Sequence, residues 1–197
     1  MRDSSAGSPN FTRHAGRCIP GNAKVCKDPS VPYIKPRMTP DKGLRVGLVS
    51  DTHGLLRPEA RVFLAGCDYI VHGGDVGDPG ILDELAQMAP LIAVRGNNDT
   101  QSWAARLRHT ELIRVGGIFL YAIHNLAELD IDPGAAGVRV VVSGHSHKPK
   151  VEEREGILYV NPGSCGPRRF KLPICAGEIT VAGTAVEARI VDLAQAS

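Results

Sequence analysis

Carboxylate, imidazole and carboxamide side chains recur in short clusters along this sequence, and each cluster directly follows an apolar run. The clusters contain Asp51 with His53, Asp75, Asn97 with Asn98 and Asp99, His124, and His145 with His147. Ligands of mixed oxygen and nitrogen character suit borderline divalent cations such as Mn²⁺, Fe²⁺, Ni²⁺ or Zn²⁺, whereas Mg²⁺ and Ca²⁺ prefer oxygen throughout. The chemistry that these residue types could support together is metal-assisted hydrolysis.

Two clusters place ligand-type residues two positions apart. Because side chains alternate between faces along an extended chain, Asp51 and His53 can point the same way and bind one cation together. His145 and His147 repeat this spacing after an apolar run and a glycine. An isolated Asp-x-His pair also occurs by chance at strand ends, and a lone histidine such as His124 is more often a core side chain. The metal interpretation therefore requires that the clusters converge.

The apolar runs are predicted to be the elements that bring the clusters together. Residues 46–49, 68–72 and 91–94 read as strands, with helices at 57–65 and 81–88 between them. From residue 111 the pattern changes to hairpins at 112–123 and 151–160, a strand at 138–142 and a final β pair at 176–191. Open α/β sheets place their chemistry at the carboxyl ends of strands. We expect an α/β domain with the polar clusters at those ends.

The chain of 197 residues is long enough for one domain, which we place at 43–197. Residues 1–42 hold 8 of the 23 Lys and Arg, 3 of the 21 Asp and Glu and 6 of the 14 prolines, which predicts an irregular, basic segment. An organelle transit peptide and an arm that contacts nucleic acid or an acidic partner are two interpretations. We favour a third, in which Met38 is the natural start, because Pro-rich polar segments usually lack a fold.

Several classes of protein are disfavoured by composition. No apolar run approaches the roughly 20 residues that span a bilayer, and the amino terminus lacks the apolar stretch of a secretory signal. The five cysteines form an odd set without a Cys-x-x-Cys pair, which favours free thiols in a reducing compartment. The body has no basic stripe with interleaved aromatics, so steady nucleic-acid binding is not expected. We expect a cytoplasmic protein without membrane contact, and a homo-oligomer is left open.

The order and spacing of the clusters resemble the signature of the calcineurin-like metallophosphoesterases. The matching motifs are Asp51-x-His53, Gly74-Asp75, Gly96-Asn97-x-Asp99, His124 and Gly144-His145-x-His147. The resemblance covers about residues 44–191, and the length together with Asn161-Pro162-Gly163-Ser164 resembles the small, compact phosphodiesterase branch. It implies a four-layer α/β/β/α sandwich of two mixed sheets, with two metal ions at the strand ends.

The resemblance also implies a ligand set and a reaction. One cation would be held by Asp51, His53, Asp75 and His147, and the other by Asp75, Asn97, His124 and His145, with Asp75 bridging. Mn²⁺ is the expected metal, with Fe²⁺, Ni²⁺ or Zn²⁺ as alternatives. A hydroxide bound to both cations would attack a small-molecule phosphodiester in line. A phosphomonoesterase, or a non-catalytic scaffold with the same fold, is the alternative function.

Asn98 departs from the family pattern, since many members have histidine in that position. Asparagine can donate a hydrogen bond to substrate but cannot act as a general acid near neutral pH. We therefore expect a preference for good leaving groups, such as those of aryl phosphodiesters. With Asp75, Asn97 and Asp99, Asn98 completes the candidate catalytic set.

Four other residues have two interpretations each. Asp99 is expected to hold a ligand histidine in one tautomer or to cap the following turn. Arg168 and Arg169 could clamp a phosphate through bidentate hydrogen bonds, although paired arginines are usually solvated. His72 is expected to lie beneath the ligands rather than to be an eighth ligand.

Overall fold

The computed structural model describes residues 43–195. The predictions for residues 1–42, including the start at Met38, lie outside this part of the chain. The described residues form strands β1 to β10 and helices α1 and α2. In chain order these are β1 Leu44–Val49, α1 Pro58–Leu64, β2 Tyr69–His72, α2 Pro79–Met88, β3 Leu91–Ala93, β4 Thr110–Val115, β5 Ile118–Ile123, β6 Val138–Val142, β7 Lys150–Arg154, β8 Ile157–Asn161, β9 Cys175–Ala182 and β10 Ala185–Asp192. Short 3-10 helices lie at Ser102–Arg106 and Leu126–Glu128.

The strands form two mixed sheets of five strands each. The order is β10-β9-β1-β2-β3 in the first sheet and β4-β5-β6-β8-β7 in the second. β1, β2 and β3 run parallel, as do β5, β6 and β8, whereas the remaining strands pair antiparallel. Each sheet therefore gathers three strand carboxyl ends at one edge. The predicted α/β fold with two mixed sheets is confirmed.

Alternation along the central strands explains how they bury both faces. Val46 and Leu48 of β1 face the second sheet, where they pack with Leu120 and Val140. Val49 and Ile70 point to the opposite face and pack with α1 and α2 through residues such as Leu64 and Leu85. Because both faces are covered, these strands are apolar almost throughout, as expected for parallel sheets.

The outer face of the second sheet is covered more thinly. Tyr121, Ile123 and Val141 pack there against Leu126 and Ile131. Among residues 43–195 this layer consists of the 3-10 helix Leu126–Glu128 and its flanking loop, because both α-helices pack on the first sheet. The same part of the chain has no helix with the length and apolar character needed to cross a membrane.

Candidate metal centre

Both sheets direct their parallel strand ends to one site. In the first sheet, Asp51 and His53 follow β1, Asp75 follows β2 and Asn97 follows β3. In the second sheet, His124 directly follows β5, while His145 and His147 follow β6. The loops that carry the predicted clusters thus meet at the edge where the two sheets pack together.

One group of ligand-type atoms comes from Asp51, His53 and His147. One atom from each of these side chains lies within 4.8 Å of the other two. The Nε2 atom of His147 is 3.3 Å from Oδ1 of Asp51. The rings of His53 and His147 stack with their centroids 5.3 Å apart. This group brings together three of the four residues expected around the first cation.

A second group contains Asp51, Asp75 and His124, whose ligand-type atoms also lie within 4.8 Å of one another. His124 Nδ1 donates to the carbonyl oxygen of Gly73 at 2.7 Å, which leaves Nε2 facing the site. Oδ1 of Asn97 lies 3.0 Å from His124 Nε2 and 2.9 Å from His145 Nδ1. Asn97 therefore lies between the two histidines expected around the second cation.

Asp75 belongs to the second group and also lies close to His53 of the first. Its Oδ2 lies 3.7 Å from His53 Nε2, and its Oδ1 lies 3.5 Å from His124 Nε2. Asn98 donates to Oδ1 through its backbone N–H at 2.8 Å and to Oδ2 through its side chain at 2.6 Å. Burial raises the pKa of Asp75, but hydrogen bonds from His124 and Asn98 outweigh it and hold the pKa well below the usual range. This carboxylate is therefore ionised and close to both groups.

The buried polar atoms of the site fit a bound cation. Both oxygens of Asp51 and Nδ1 of His147 are buried and have no hydrogen-bond partner among residues 43–195. Burial raises the pKa of Asp51 to about 6 and, together with Arg169, lowers the pKa of His147 to about 4. Such unpaired groups cost free energy in the interior unless something compensates them. A divalent cation would do so, and the mixed donors suit Mn²⁺, Fe²⁺, Ni²⁺ or Zn²⁺.

The backbone around the site is held in an unusual conformation. Seven non-glycine residues between 43 and 195 have positive φ, and five of them are expected ligands. These five are Asp51 (φ 55°), His53 (44°), Asp75 (56°), His145 (66°) and His147 (57°). Left-handed backbone at non-glycine residues costs free energy and clusters at functional sites. The turns that aim these side chains are therefore maintained by the surrounding fold.

Gly96 allows the loops after β2 and β3 to approach each other. A Cβ atom at this position would lie 2.1 Å from both the backbone nitrogen and Oδ1 of Asp75. No side chain fits at that distance without moving the backbone. The glycine before Asn97 is thus a requirement of the geometry around Asp75.

Asp99 hydrogen-bonds to backbone N–H groups rather than to a ligand histidine. Its buried carboxylate accepts from the backbone N–H groups of Val76 at 3.2 Å, Gly77 at 3.0 Å and Gly96 at 2.9 Å. Among residues 43–195 neither oxygen hydrogen-bonds to a histidine, so the expectation that Asp99 fixes a histidine tautomer is not supported. These contacts tie the loop of Asp75 to the loop of Asn97, so the structure gives Asp99 a positioning role.

His72 lies beneath the site, as predicted, and is fully buried. Its Nδ1 accepts from the backbone N–H of Gly74 at 3.1 Å, so its Nε2 carries the proton and donates to Thr52 Oγ1 at 2.9 Å. The Thr52 hydroxyl in turn donates to the carbonyl of Val76 at 2.9 Å. Burial lowers the pKa of His72 to about 4, which keeps this chain of hydrogen bonds neutral.

The two arginines predicted to clamp phosphate differ in their contacts. Arg169 donates from Nη2 to His53 Nε2 at 3.2 Å, which places its guanidinium at the site. Arg168 is exposed and makes no hydrogen bond or ion pair with any residue between 43 and 195. Asn98, also predicted to contact substrate, directs its side chain to Asp75. Arg169 therefore lies at the site, and the phosphate clamp stays a prediction for both arginines.

Asn161 and Ser164 support the site and were not assigned a role from sequence. Asn161 Nδ2 donates to the carbonyl of Gly144 at 2.6 Å and to Ser146 Oγ at 3.1 Å, in the loop of His145 and His147. Ser164 Oγ donates to the carbonyl of Asp51 at 2.9 Å. In the sequence, the signal for Asn161 was its position at the end of an apolar run. In the structure this run is β8, which lies parallel to β6.

Comparison with known families agrees with this geometry. Residues 44–184 match the family model of the calcineurin-like phosphoesterase superfamily domain. The match spans more than half of the chain, and the chain belongs to this superfamily. The resemblance predicted from the five motifs is therefore confirmed.

Two curated archaeal relatives have names that fit this family. A probable metallophosphoesterase of Methanocaldococcus jannaschii is 35% identical over 133 residues, covering 60% of this chain and 67% of the relative. A phosphodiesterase of the same organism is 26% identical over 142 residues, covering 62% of this chain and 84% of the relative.

Solved structures with this fold include enzymes and sorting proteins. An archaeal phosphodiesterase aligns with a TM-score of 0.63 at 20% identity, covering 75% of this chain and all (100%) of that one. Vacuolar protein sorting 29 of Cryptosporidium parvum aligns with a TM-score of 0.59 at 19% identity, covering 77% of this chain and 98% of the other. At these identities the likeness is one of fold.

Proposed function

We propose that this protein is a metal-dependent phosphodiesterase. The observation that carries the proposal is the convergence of two groups of ligand-type atoms that share Asp51, with Asp75 of the second group also close to His53 of the first. Membership of the phosphoesterase superfamily and the relative named as a phosphodiesterase support the reaction class.

The proposed cofactors are two divalent cations, with Mn²⁺ favoured and Fe²⁺, Ni²⁺ or Zn²⁺ as alternatives. Asp51, His53, Asp75 and His147 would hold one cation, and Asp75, Asn97, His124 and His145 the other. When bound, such a pair supplies an activated water and neutralises charge in an in-line displacement at phosphorus.

The side chains have distinct tasks in this proposal. Asp75 remains ionised because Asn98 donates two hydrogen bonds to it, so its carboxylate can pair with two positive charges. His124 is held by Gly73 with Nε2 directed inward. Arg169, beside His53, can pair with a non-bridging phosphate oxygen. Asn98 orients Asp75 and cannot supply a proton to a leaving group.

The proposed substrate is a small-molecule phosphodiester, and the proposed location is the cytoplasm. Cys67, Cys165 and Cys175 are free and buried, which supports a reducing compartment. The proposal includes no membrane or nucleic-acid partner, and it leaves a homo-oligomer open.

Hydrolysis of bis(p-nitrophenyl) phosphate and p-nitrophenyl phosphate by metal-stripped protein, with and without added Mn²⁺, tests this function. We expect metal-dependent diester cleavage that falls by about 100-fold or more in Asp75→Asn, since a bridging carboxylate is lost. Asp83→Asn is the matched control, because Asp83 is an exposed carboxylate of α2 whose only ion pair among residues 43–195 is with Arg106, at 3.9 Å.

Other outcomes would replace the proposal. Cleavage of the monoester alone would indicate a phosphomonoesterase. Absence of cleavage of either ester, by protein shown to bind metal, would favour the non-catalytic scaffold.

A further inference from the structure

A cavity of about 270 Å³ opens beside the half of the centre that contains Asn97 and His124. Its other polar lining comes from Arg95, His109, Thr110, Asn125, Glu128 and Asp130. The cavity therefore adjoins two of the residues proposed to hold the second cation, and most of the residues that line it are polar. The sequence motifs did not predict this cavity.

Two backbone contacts hold His109 at this cavity. The N–H of Arg95 donates to the carbonyl of Arg108 at 2.8 Å, which ties the segment before β4 to the segment that leads to Asn97. On the other side, Thr110 pairs with Ile123 in the antiparallel β4–β5 ladder. His109 therefore lies one residue beyond this pair, alongside His124. The position of His109 at the cavity is therefore fixed by strand pairing and by the backbone hydrogen bond to Arg108.

Among the lining groups, His109 is suited to proton donation. The guanidinium of Arg95 does not deprotonate in proteins, and its Nε donates to the carbonyl of Asp99 at 2.8 Å. His124 is held by Gly73 with its other nitrogen in the metal centre. Glu128 and Asp130 also line the cavity, but both are exposed carboxylates. Histidine, by contrast, is the side chain that most often acts as a general acid in enzymes.

We propose that this cavity receives the leaving group and that His109 protonates it. The proposal rests on the proposed phosphodiesterase function. A water molecule gives one proton to solvent and its oxygen forms a bond to phosphorus, while the bond from phosphorus to the leaving oxygen breaks. The N–H proton of the His109 imidazolium passes to that oxygen, which departs as a neutral alcohol or phenol. The products are this alcohol and a phosphate monoester, and the exposed imidazole regains a proton from solvent.

The proposal changes the expected substrate class. Asn98 cannot protonate a leaving group, so without another donor only weakly basic leaving groups would depart readily. A proton from His109 extends the reaction to diesters of ordinary alcohols. The polar side chains of Arg95, Asn125 and Glu128 suit a small leaving group that carries hydroxyls.

The test compares wild-type protein with His109→Gln on two diesters in the presence of Mn²⁺. The p-nitrophenolate of bis(p-nitrophenyl) phosphate leaves without a proton, whereas the more basic phenolate of diphenyl phosphate benefits from one. We expect the fold-loss of kcat in the variant to be at least about 10 times larger on diphenyl phosphate than on bis(p-nitrophenyl) phosphate. A general acid raises the rate by about 100-fold or more, and only the more basic leaving group depends on it. Arg106→Gln, on the same connecting segment but paired with Asp83, is the control and should lower neither rate.

The outcomes separate this inference from the function on which it rests. Equal fold-losses on both diesters, or no loss on either, would overturn the role of His109 while leaving a phosphodiesterase in place. Wild-type protein that cleaves neither diester would overturn the phosphodiesterase and the inference together.

Discussion

Asp51 combines three unfavourable features in one residue. It is fully buried, its φ is 55° and neither carboxylate oxygen has a hydrogen-bond partner among residues 43–195. Each feature costs free energy in a folded chain. Their coincidence at a residue expected to bind metal indicates that this position is arranged for a cation and not for stability.

The free energy of unfolding of the metal-free protein should therefore depend on pH, and we expect this dependence to originate at Asp51. Burial raises its pKa from 3.8 to about 6, so its contribution to stability is present below pH 3.8 and is lost as the pH rises through about 6. Asp51→Asn removes this loss. In chelator, the variant should be more stable than wild type by up to about 3 kcal/mol near pH 8, and similar to it near pH 4.

Urea unfolding of both proteins at the two pH values measures this difference. A difference in the free energy of unfolding that is the same at both pH values would contradict the assignment to Asp51. With saturating Mn²⁺ the order should reverse, because the variant loses a cation ligand and with it the stabilisation that binding supplies.

At this scale the residue types were predictable and the conformations were not. The motif spacing predicted which side chains are of ligand type, because Asp, Asn and His recur after apolar runs. The positive φ of Asp51 and Asp75 arises from how each loop is held by others, which a local pattern does not show. The contact of Asp99 with Val76 links positions 23 residues apart in the chain.

At the scale of the elements, β9 is the strand that completes the first sheet. It inserts beside β1, so the central strands β1 and β2 are both flanked. Sequence predicted a final β pair, but it could not predict this insertion, because Arg45 and its partner Glu178 are 133 residues apart in sequence. Strand patterns are local, whereas strand order depends on such distant pairings.

Glu178 joins three strands and should contribute to stability. Its carboxylate contacts Arg45 of β1 and accepts from Arg189 Nε of β10 at 3.0 Å. Arg45 also donates to the carbonyl groups of Phe63 and Ala65 at 2.6 and 2.8 Å, at the end of α1. Burial raises the pKa of Glu178, but the hydrogen bonds from both guanidinium groups outweigh it and lower the pKa from 4.5.

Because the pKa is lowered in the folded state, this stabilisation is present above pH 4.5 and is lost as the pH falls through the folded value. Glu178→Gln should lower the free energy of unfolding by about 2 kcal/mol near neutral pH, and by less in acid. Denaturant unfolding of wild type and variant near pH 7 and near pH 3 would show this. An equal effect at both pH values would mean that the charge of Glu178 is not responsible.

At the scale of the whole molecule, the site exists because two sheets bring their parallel strand ends to a common edge. β1, β2 and β3 supply Asp51, Asp75 and Asn97, while β5 and β6 supply His124 and His147. The order of motifs predicted the superfamily and hence this arrangement, whereas hydrophobic periodicity alone predicted only the separate elements. The cavity beside His109 was not predictable, because its walls come from segments that are distant in sequence.

The stoichiometry of Mn²⁺ binding tests the central claim most directly. Metal-stripped wild-type protein, titrated calorimetrically, should bind two Mn²⁺ per chain, because Asp75 lies close to a histidine of each group of ligand-type atoms. Asp75→Asn should lose one or both equivalents, and the control Asp83→Asn should retain both. Two equivalents that depend on Asp75 would support the dinuclear centre. Absence of binding by the wild type, or binding that is unchanged in Asp75→Asn, would contradict it.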